Sequence, residues 1–560
     1  MYELREEGLF ITHQDAEPKF LCGPIRVLAI TRDGENKRNY GMLIEWVNLD
    51  GVKLQHVFPR RQIINDYGRQ LKEVLIDTGL SVSNRPKTWD QIITYLNHAN
   101  PAERYISATQ TGWVNRSFVT PDWCVGRETE QVIYAGDVSD MLIQSGSVSD
   151  WQQSVAPLCI NNPMLVFAVC AGIAAPLLHW LKWPSCGIHL YGKSKIAKTT
   201  VLNLAASLYS DSSYAYSWRS TANGLEVIAS SHNDMLLCLD ELHQAQAEDV
   251  DQAIYMLANG MSKIRSNQDG SLGNKRSWRL LYFSTGEVGL EEKLSAIQKS
   301  VKAGQEIRFL EVPASRQFGI FDDLHGHDSI QSFSRTIWRG IDQNHGSVMP
   351  AWIRMLSEIE ALSEFLENAI SRYQILWSST NEGNQVKEAI KRFALLAVAG
   401  ELAIKSGLLP WPTGEAEKSV RIAFEAWLEA RGSSADSEDE KLARQLPIAL
   451  KRWRLQLVQP GTTLSSSHSG YWIKEDNEVS WLLTREAFVK GLNLPYKNQL
   501  SQCVQYLKER GWLIQNEDRG TFKKQIEGGL RGGRYFKLLP NRIIEELKLD
   551  IQLSHTTFPS

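Results

Sequence analysis

The chain has little of what would mark it as secreted, membrane-bound or zinc-built. Seven cysteines occur among 560 residues (22, 124, 159, 170, 186, 238 and 503), none of them in a C-x-x-C pair. Such scatter points to a reducing compartment, the cytoplasm, and argues against a disulfide framework or a zinc site. The short run His325-Gly326-His327-Asp328 is a weak metal candidate. Long hydrophobic runs are missing too. The nearest approach, residues 164–178, is fifteen uncharged, mostly apolar residues interrupted by Pro176, short of the roughly 20 that a bilayer requires. A buried helix under a sheet is expected there, and no membrane partner. The first seven residues are charged and polar, so no secretory leader is expected. Neither sign of charge dominates: 61 Lys and Arg against 64 Asp and Glu leave a net charge of −3. A uniformly basic coat is thereby excluded, and any contact with nucleic acid must be local. The length suits about three or four domains.

What the sequence does hold is concentrated between His189 and Ala245. His189-Leu190-Tyr191-Gly192-Lys193-Ser194-Lys195-Ile196-Ala197-Lys198-Thr199-Thr200 follows the phosphate-loop template G-x-x-x-x-G-K-[ST] at Gly192, Lys198 and Thr199, with Ala197 where glycine is usual. An apolar run (188–191) precedes it and a helical stretch (199–208) follows, which is the context that the motif requires. The backbone N–H groups from Gly192 through Ser194, Lys195, Ile196 and Ala197 to Lys198, Thr199 and Thr200, with the positive helix end, suit an anionic phosphate chain. ATP is the expected nucleotide. Lys198 would reach its β/γ-phosphates, and the Thr199 hydroxyl would ligate Mg²⁺. A methyl group at 197 is tolerated where φ is negative and penalised where φ is positive.

Met235-Leu236-Leu237-Cys238-Leu239-Asp240-Glu241 reads as a buried parallel strand ending in two carboxylates, where open α/β sheets keep their sites. Asp240 would hold the magnesium through water, and Glu241 would polarise the water that attacks the γ-phosphate. A phosphate loop alone can arise by chance, as can a capped strand. Asp240 stands 42 positions beyond Lys198 (240 − 198), and the two motifs together favour an α/β P-loop NTPase core, placed at 106–345.

Residues 1–105 read as a separate β-rich module. Strands are expected at 25–31, 40–47 and 52–58, with turns at Asp33-Gly34 and Asp50-Gly51, then helices at 67–77 and 89–97. Both a nucleic-acid-binding barrel and a plain packing domain fit it. Residues 346–460 are helical by period, most clearly at 355–377, 385–406 and 415–430. In the last domain, 471–550, helices at 485–491 and 497–510 precede a β-ribbon, the pattern of a winged helix. Between 484 and 540 stand eleven Lys/Arg and five Asp/Glu, a local charge of +6. Such modules dock a helix into a DNA groove, although others bind only protein.

Thr109-Gln110-Thr111-Gly112-Trp113-Val114-Asn115-Arg116 begins a further series of motifs. It continues in Ser217-Trp218-Arg219-Ser220-Thr221, Asn223-Gly224-Leu225-Glu226, His232-Asn233-Asp234, Tyr255-Met256-Leu257-Ala258-Asn259-Gly260 and Ser284-Thr285-Gly286-Glu287. Over about residues 5–340 the chain resembles domain-of-unknown-function family 927, found in phage, plasmid and genomic-island proteins and often labelled "superfamily II helicase and inactivated derivatives". Some of that family's relatives look like minichromosome maintenance (MCM) ring helicases of the AAA+ class, in which alanine commonly stands where Ala197 does.

The resemblance implies an ATP-dependent DNA helicase or translocase of a mobile element, a homohexameric ring acting on single-stranded or forked DNA, joined by a separate primase or initiator. It makes Thr285, with Ser284 beside it, the sensor of the γ-phosphate. Arg308, on an expected strand at 304–312, would be the arginine finger for a neighbouring subunit; an arginine in a local ion pair is the alternative. The segment 261–279 carries five basic residues and one acidic, Asp269, a local +4. Its Lys263, Arg265, Lys275 and Arg276 would track DNA phosphates from a hairpin, unless the hairpin is only a solvated loop. A non-hydrolysing, ATP-switched DNA-binding regulator is the alternative to the enzyme.

Overall fold

The computed structural model describes residues 1–13, 17–127, 131–136, 141–263, 276–299, 301, 303–378, 383–431, 438–475, 478–492, 494, 497–515, 521–527 and 533–549. They fall into two compact units. One comprises Met1–Gly289, Arg308–Leu376 and Ile390–Trp427; the other comprises Leu290–Ile307, Trp377–Ala389 and the described part of Leu428–Ser560.

The first unit opens with an antiparallel triplet, β1 (Tyr2–Arg5), β2 (Gly8–Ile11) and β3 (Lys19–Cys22). A five-stranded sheet follows, built on the meander β4 (Ile25–Arg32), β5 (Gly41–Val47) and β6 (Lys53–Pro59). Helices α1 (Arg69–Asp77) and α2 (Thr88–His98) lay Leu71, Leu75, Ile92 and Leu96 into one core with Ile44, Trp46 and Phe58. Strands β7 (Arg104–Ala108) and β11 (Val132–Tyr134) extend that sheet in the order β11-β7-β4-β5-β6. Between them β8 (Gly112–Val114), β9 (Ser117–Val119) and β10 (Cys124–Gly126) form a small antiparallel sheet.

The second large sheet is wholly parallel: β12 (Cys186–Tyr191), β13 (Ala215–Ser217), β14 (Leu236–Asp240), β15 (Leu281–Gly286) and β16 (Phe309–Pro313), ordered β13-β14-β15-β12-β16. Parallel strands need covering on both faces, which explains their continuous apolar runs. Helix α3 (Pro163–Ala174) is that cover. All twelve of its residues are buried, as a helix apolar on every side must be. Among the described residues no helix is long and apolar enough to cross a membrane. Helices α4 (Lys198–Ala206), α5 (Ala222–Ser231) and α6 (Ala247–Asn259) connect the strands, and α7 (Ile330–Gln343) follows the last of them.

The helical region departs from its expected limits at one point. The helix expected at 355–377 is two, α8 (Val348–Glu358) and α9 (Leu362–Trp377). The break is held by Arg116, whose Nη2 donates to Ser357 O (2.7 Å) and Ile359 O (2.8 Å), capping carbonyls that a continuous helix would use itself. Helices α10 (Asn384–Lys405), α11 (Glu415–Arg431) and α12 (Glu438–Gln456) follow.

The second unit centres on the sheet β17-β18-β19-β22-β20, from β17 (Leu457–Val458), β18 (Gly470–Glu475), β19 (Glu478–Leu483), β20 (Leu513–Ile514) and β22 (Arg534–Leu538), with β21 (Phe522–Lys523) paired to β22. Helices α13 (Arg485–Gly491), α14 (Lys497–Glu509) and α15 (Pro540–Glu546) complete it. Trp453, Trp481, Phe488, Leu507, Trp512 and Phe536 form its core.

Candidate nucleotide-binding site

The loop 192–197 leaves the C-terminal end of β12 and enters α4 at Lys198. Its first residue is tied to the neighbouring strand, Gly192 N donating to Gly286 O at 3.2 Å. Ser194, Lys195 and Thr199 are exposed. Lys198 Nζ folds back over the loop onto Gly192 O (2.8 Å) and Lys193 O (2.7 Å), two carbonyl contacts that a phosphate oxygen would replace. Burial pushes the Lys198 ammonium below its usual range, against the opposing pull of Glu287 and Asp240. Thr200 lies beneath the loop, its Oγ1 accepting from Trp338 Nε1 of α7 at 3.1 Å.

Ala197 has φ +74° and ψ 28°. The condition under which a methyl group is tolerated is therefore not met. Alanine occupies a left-handed position that costs an L-residue roughly 1–2 kcal/mol. Lys195 (φ +63°) and Glu241 (φ +63°) at this site share that region, as do other non-glycine residues elsewhere in the chain.

Asp240 closes β14. Its Oδ1 accepts from Glu241 N at 2.9 Å and from the Thr285 hydroxyl. Since successive residues of a strand face opposite sides, Ser284 is turned away. Its Oγ meets His189 Nδ1 at 2.9 Å and accepts from Trp218 Nε1 at 2.8 Å. Thr285 is thus the hydroxyl at the carboxylate, and Ser284 supports the sheet. Burial lowers the His189 pKa to about 4, which keeps this imidazole neutral below the loop. The Glu241 carboxylate accepts from Gln244 Nε2 of the following 3₁₀ turn (Leu242–Gln244).

The donors on hand for a cation are the exposed Thr199 hydroxyl and Asp240, both oxygen ligands of the kind Mg²⁺ takes. Among the described residues no group of three or more His, Cys, Asp or Glu is placed to hold a metal. A cation here would accordingly need phosphate oxygens to complete its shell. In the run at 325–328, His325 Nε2 lies 3.0 Å from Ile160 O and His327 Nε2 lies 2.8 Å from Thr336 Oγ1.

Arg308 is not beside the loop. Residues expected as one strand at 304–312 form a helical turn, Ala303–Glu306, and then β16, which begins at Phe309. Arg308 O accepts from Gly187 N at 2.7 Å, at the end of the sheet opposite Gly192. Among the described residues its guanidinium has no carboxylate within salt-bridge distance.

The basic segment returns on itself. Met261 and Ser277 bridge antiparallel, Ser262 N donates to Arg276 O (2.9 Å) and Trp278 N donates to Gly260 O (2.9 Å). Gly260 makes this possible. It caps α6 with φ +67°, and a β-carbon there would stand 2.4 Å from Trp278 O. Arg276 thus stands opposite Ser262, its N donating to Ser262 Oγ at 3.0 Å, with Lys263 the next residue of the stem, while Arg265 and Lys275 lie outside the described residues.

Several motifs of the series meet in a buried knot away from the loop. Asp234, its side chain 3% exposed, accepts from Trp113 N (3.1 Å) and lies 3.2 Å from His179 Nδ1 and 3.8 Å from Arg279 Nη1. Asn233 donates to Thr111 O and accepts from Arg279 N. These residues join β8 to the stem of the basic segment. Sequence reasoning also passed over Glu287, Gln244 and Trp338. Of these only Glu287 stood within a quoted motif.

A family model described as "Domain of unknown function (DUF927)" matches residues 2–277, just under half of the chain. No curated protein matches the sequence. Among solved structures, one described as "SCCmec type IV Cch - active helicase" aligns with 98% of this chain and 99% of its own, at TM-score 0.66 and 17% identity. That likeness is one of fold, and it extends over both units.

Proposed function

We propose that the chain is an ATP-dependent DNA translocase, a ring helicase or self-loading helicase of a phage, plasmid or genomic island. In this reading the parallel sheet is an AAA+, MCM-like P-loop core, and the second unit carries a winged helix. The observation that carries it is the meeting of three chain segments at Asp240. The Thr285 hydroxyl bonds to it, Glu241 N bonds to it, and its charge reaches Lys198. Lys198 would neutralise the transferring phosphoryl group, Glu241 would orient the attacking water and Thr285 would sense the terminal phosphate. Mg²⁺, held by Thr199 and through water by Asp240, would add charge on the phosphates.

A homohexamer is the proposed form, in which Arg308, lying away from its own chain's loop, would serve a neighbour's. The paired stem at 260–278 supports a hairpin that offers Lys263, Arg265, Lys275 and Arg276 to DNA phosphates. The likeness to a protein described as an active helicase supports the same reading. The cytoplasm is the proposed compartment, and a separate primase or initiator a proposed partner.

A second reading, an ATP-switched regulator without turnover, is favoured by one observation, the strained Ala197. Phosphate release measured with and without single-stranded DNA separates the two. We expect DNA-stimulated turnover that Lys198→Ala lowers by about 10²-fold or more. Nucleotide binding without turnover, with DNA or without it, would establish the regulator.

A further inference from the structure

Asp240, Glu241 and Thr285 all belong to β14 and β15 or the turn after them, on one side of the loop strand β12. A triphosphate lying along 192–198 must turn its terminal phosphate to that side. Its nucleoside then leaves by the opposite flank, where β16 ends. The chain there, residues 314–322, is fastened to the loop: Ala314 N donates to Tyr191 O (2.8 Å) and Ile320 N donates to Ile196 O (3.0 Å).

The turn is stiff. Bridges pair Arg316 with Gly319 and Phe318 with Phe321, and Arg316 grips Asp322 through Nε–Oδ1 (3.1 Å) and Nη2–Oδ2 (2.6 Å). Asp322 N donates to Asn162 Oδ1 at the start of α3 (2.9 Å). Gly319, at φ +67°, lies so close to the loop that a β-carbon would come within 3.0 Å of Ile196 O. On this rigid turn Phe318 leaves 38% of its surface exposed, next to an exposed Gln317.

We infer that the turn 314–322 is the nucleobase platform of the site, with Phe318 stacking on the base of a purine nucleotide and Gln317 reading its edge. The inference rests on the ATP reading above. An aromatic ring accepts any base on its face, so Phe318 sets affinity. A glutamine amide offers one donor and one acceptor, matching the N7 and N6 of adenine, whereas guanine presents two acceptors on that edge. Gln317 therefore sets the preference for adenine over guanine.

Calorimetric titration of the full chain with ATP, GTP and inorganic tripolyphosphate tests this. Tripolyphosphate has the phosphate chain and no base. Phe318→Ala should weaken ATP about tenfold while tripolyphosphate stays within about twofold of wild type. Phe318→Trp should keep the ATP affinity. Gln317→Ala should lose about tenfold of the preference for ATP over GTP. Unchanged ATP affinity in Phe318→Ala, or equal losses for ATP and tripolyphosphate, overturns the platform. A wild type that binds neither ligand removes the ATP reading, and the platform with it.

Discussion

Arg308 gives the sharpest test of a shared active site. Along β16, the residue level with the loop is Ala314, which donates to Tyr191 O, whereas Arg308 is level with the start of β12. Six residues of strand separate them, roughly 20 Å at about 3.3 Å per residue, further than an arginine side chain extends. Arg308→Ala should therefore leave nucleotide affinity intact in its own subunit. If the guanidinium enters a neighbour's site, turnover should still fall by about 10³ to 10⁵. Lys198→Ala fails for the opposite reason, having a sound finger and a dead loop. Mixed in equal amounts and allowed to exchange subunits, the two inactive proteins should regain activity, because about a quarter of the interfaces in randomly mixed rings pair a sound loop with a sound finger. Phosphate release from the separate and mixed proteins, with sizing to follow exchange, reads the outcome. Near-wild-type turnover by Arg308→Ala alone refutes the reasoning. So does exchange without any recovery of activity.

Ala197→Gly should relieve a left-handed cost of roughly 1–2 kcal/mol against about 0.4–1 kcal/mol of added freedom in the unfolded chain; a urea midpoint that rises slightly is expected, and a fall refutes the strain. Replacing Lys263, Arg265, Lys275 and Arg276 with alanine should weaken binding to all DNA sequences alike and flatten its salt dependence; an unchanged salt slope in anisotropy titrations would place the DNA elsewhere, at the second unit first. His189 and His232 are fully buried, and burial lowers each pKa from 6.5 to about 4. Between these values the unfolded chain binds the more protons, so stability should fall as pH drops from about 6.5 towards 4, by roughly 3 kcal/mol for each imidazole. Urea midpoints across that range should fall less steeply in His189→Gln, and an unaltered profile would count against the assignment.

The parts of this fold that could be read in advance are those whose signals are local. The apolar run before Gly192, the run before Asp240 and the unbroken apolar surface of 163–174 each dictate an element through neighbouring residues alone. Lys198 and Asp240 go with those elements, at the ends of neighbouring segments, which is why their proximity could be anticipated. What escaped depends on distant partners. The break between α8 and α9 is made by Arg116, 241 positions away. Thr285 is the expected residue of the Ser284-Thr285 pair, but that it and not Ser284 faces Asp240 is settled by the register between strands. The turn before Arg308 was mistaken for strand because a run as short as 304–312 carries no decisive period. The left-handed backbone at Ala197 has no signature in an alanine at all; glycine would have announced it.

Strand β15 joins two places that matter. One end continues from Trp278 and the stem of the basic segment, and the other carries Thr285 against Asp240. All six residues of the strand, Leu281–Gly286, are buried, laddered to β12 along their length and to β14 through Leu281–Ser284. Such a strand has no slack. If it slid by a single residue, every side chain would change faces and Thr285 would leave Asp240. Sliding of β15 therefore cannot carry a movement of the stem while the site stays assembled. Travel at the stem that reached the site along β15 would have to move the sheet as one piece, a strut roughly 20 Å long. In the ring proposed above, the length of a stroke would then be set by how one subunit rocks against the next.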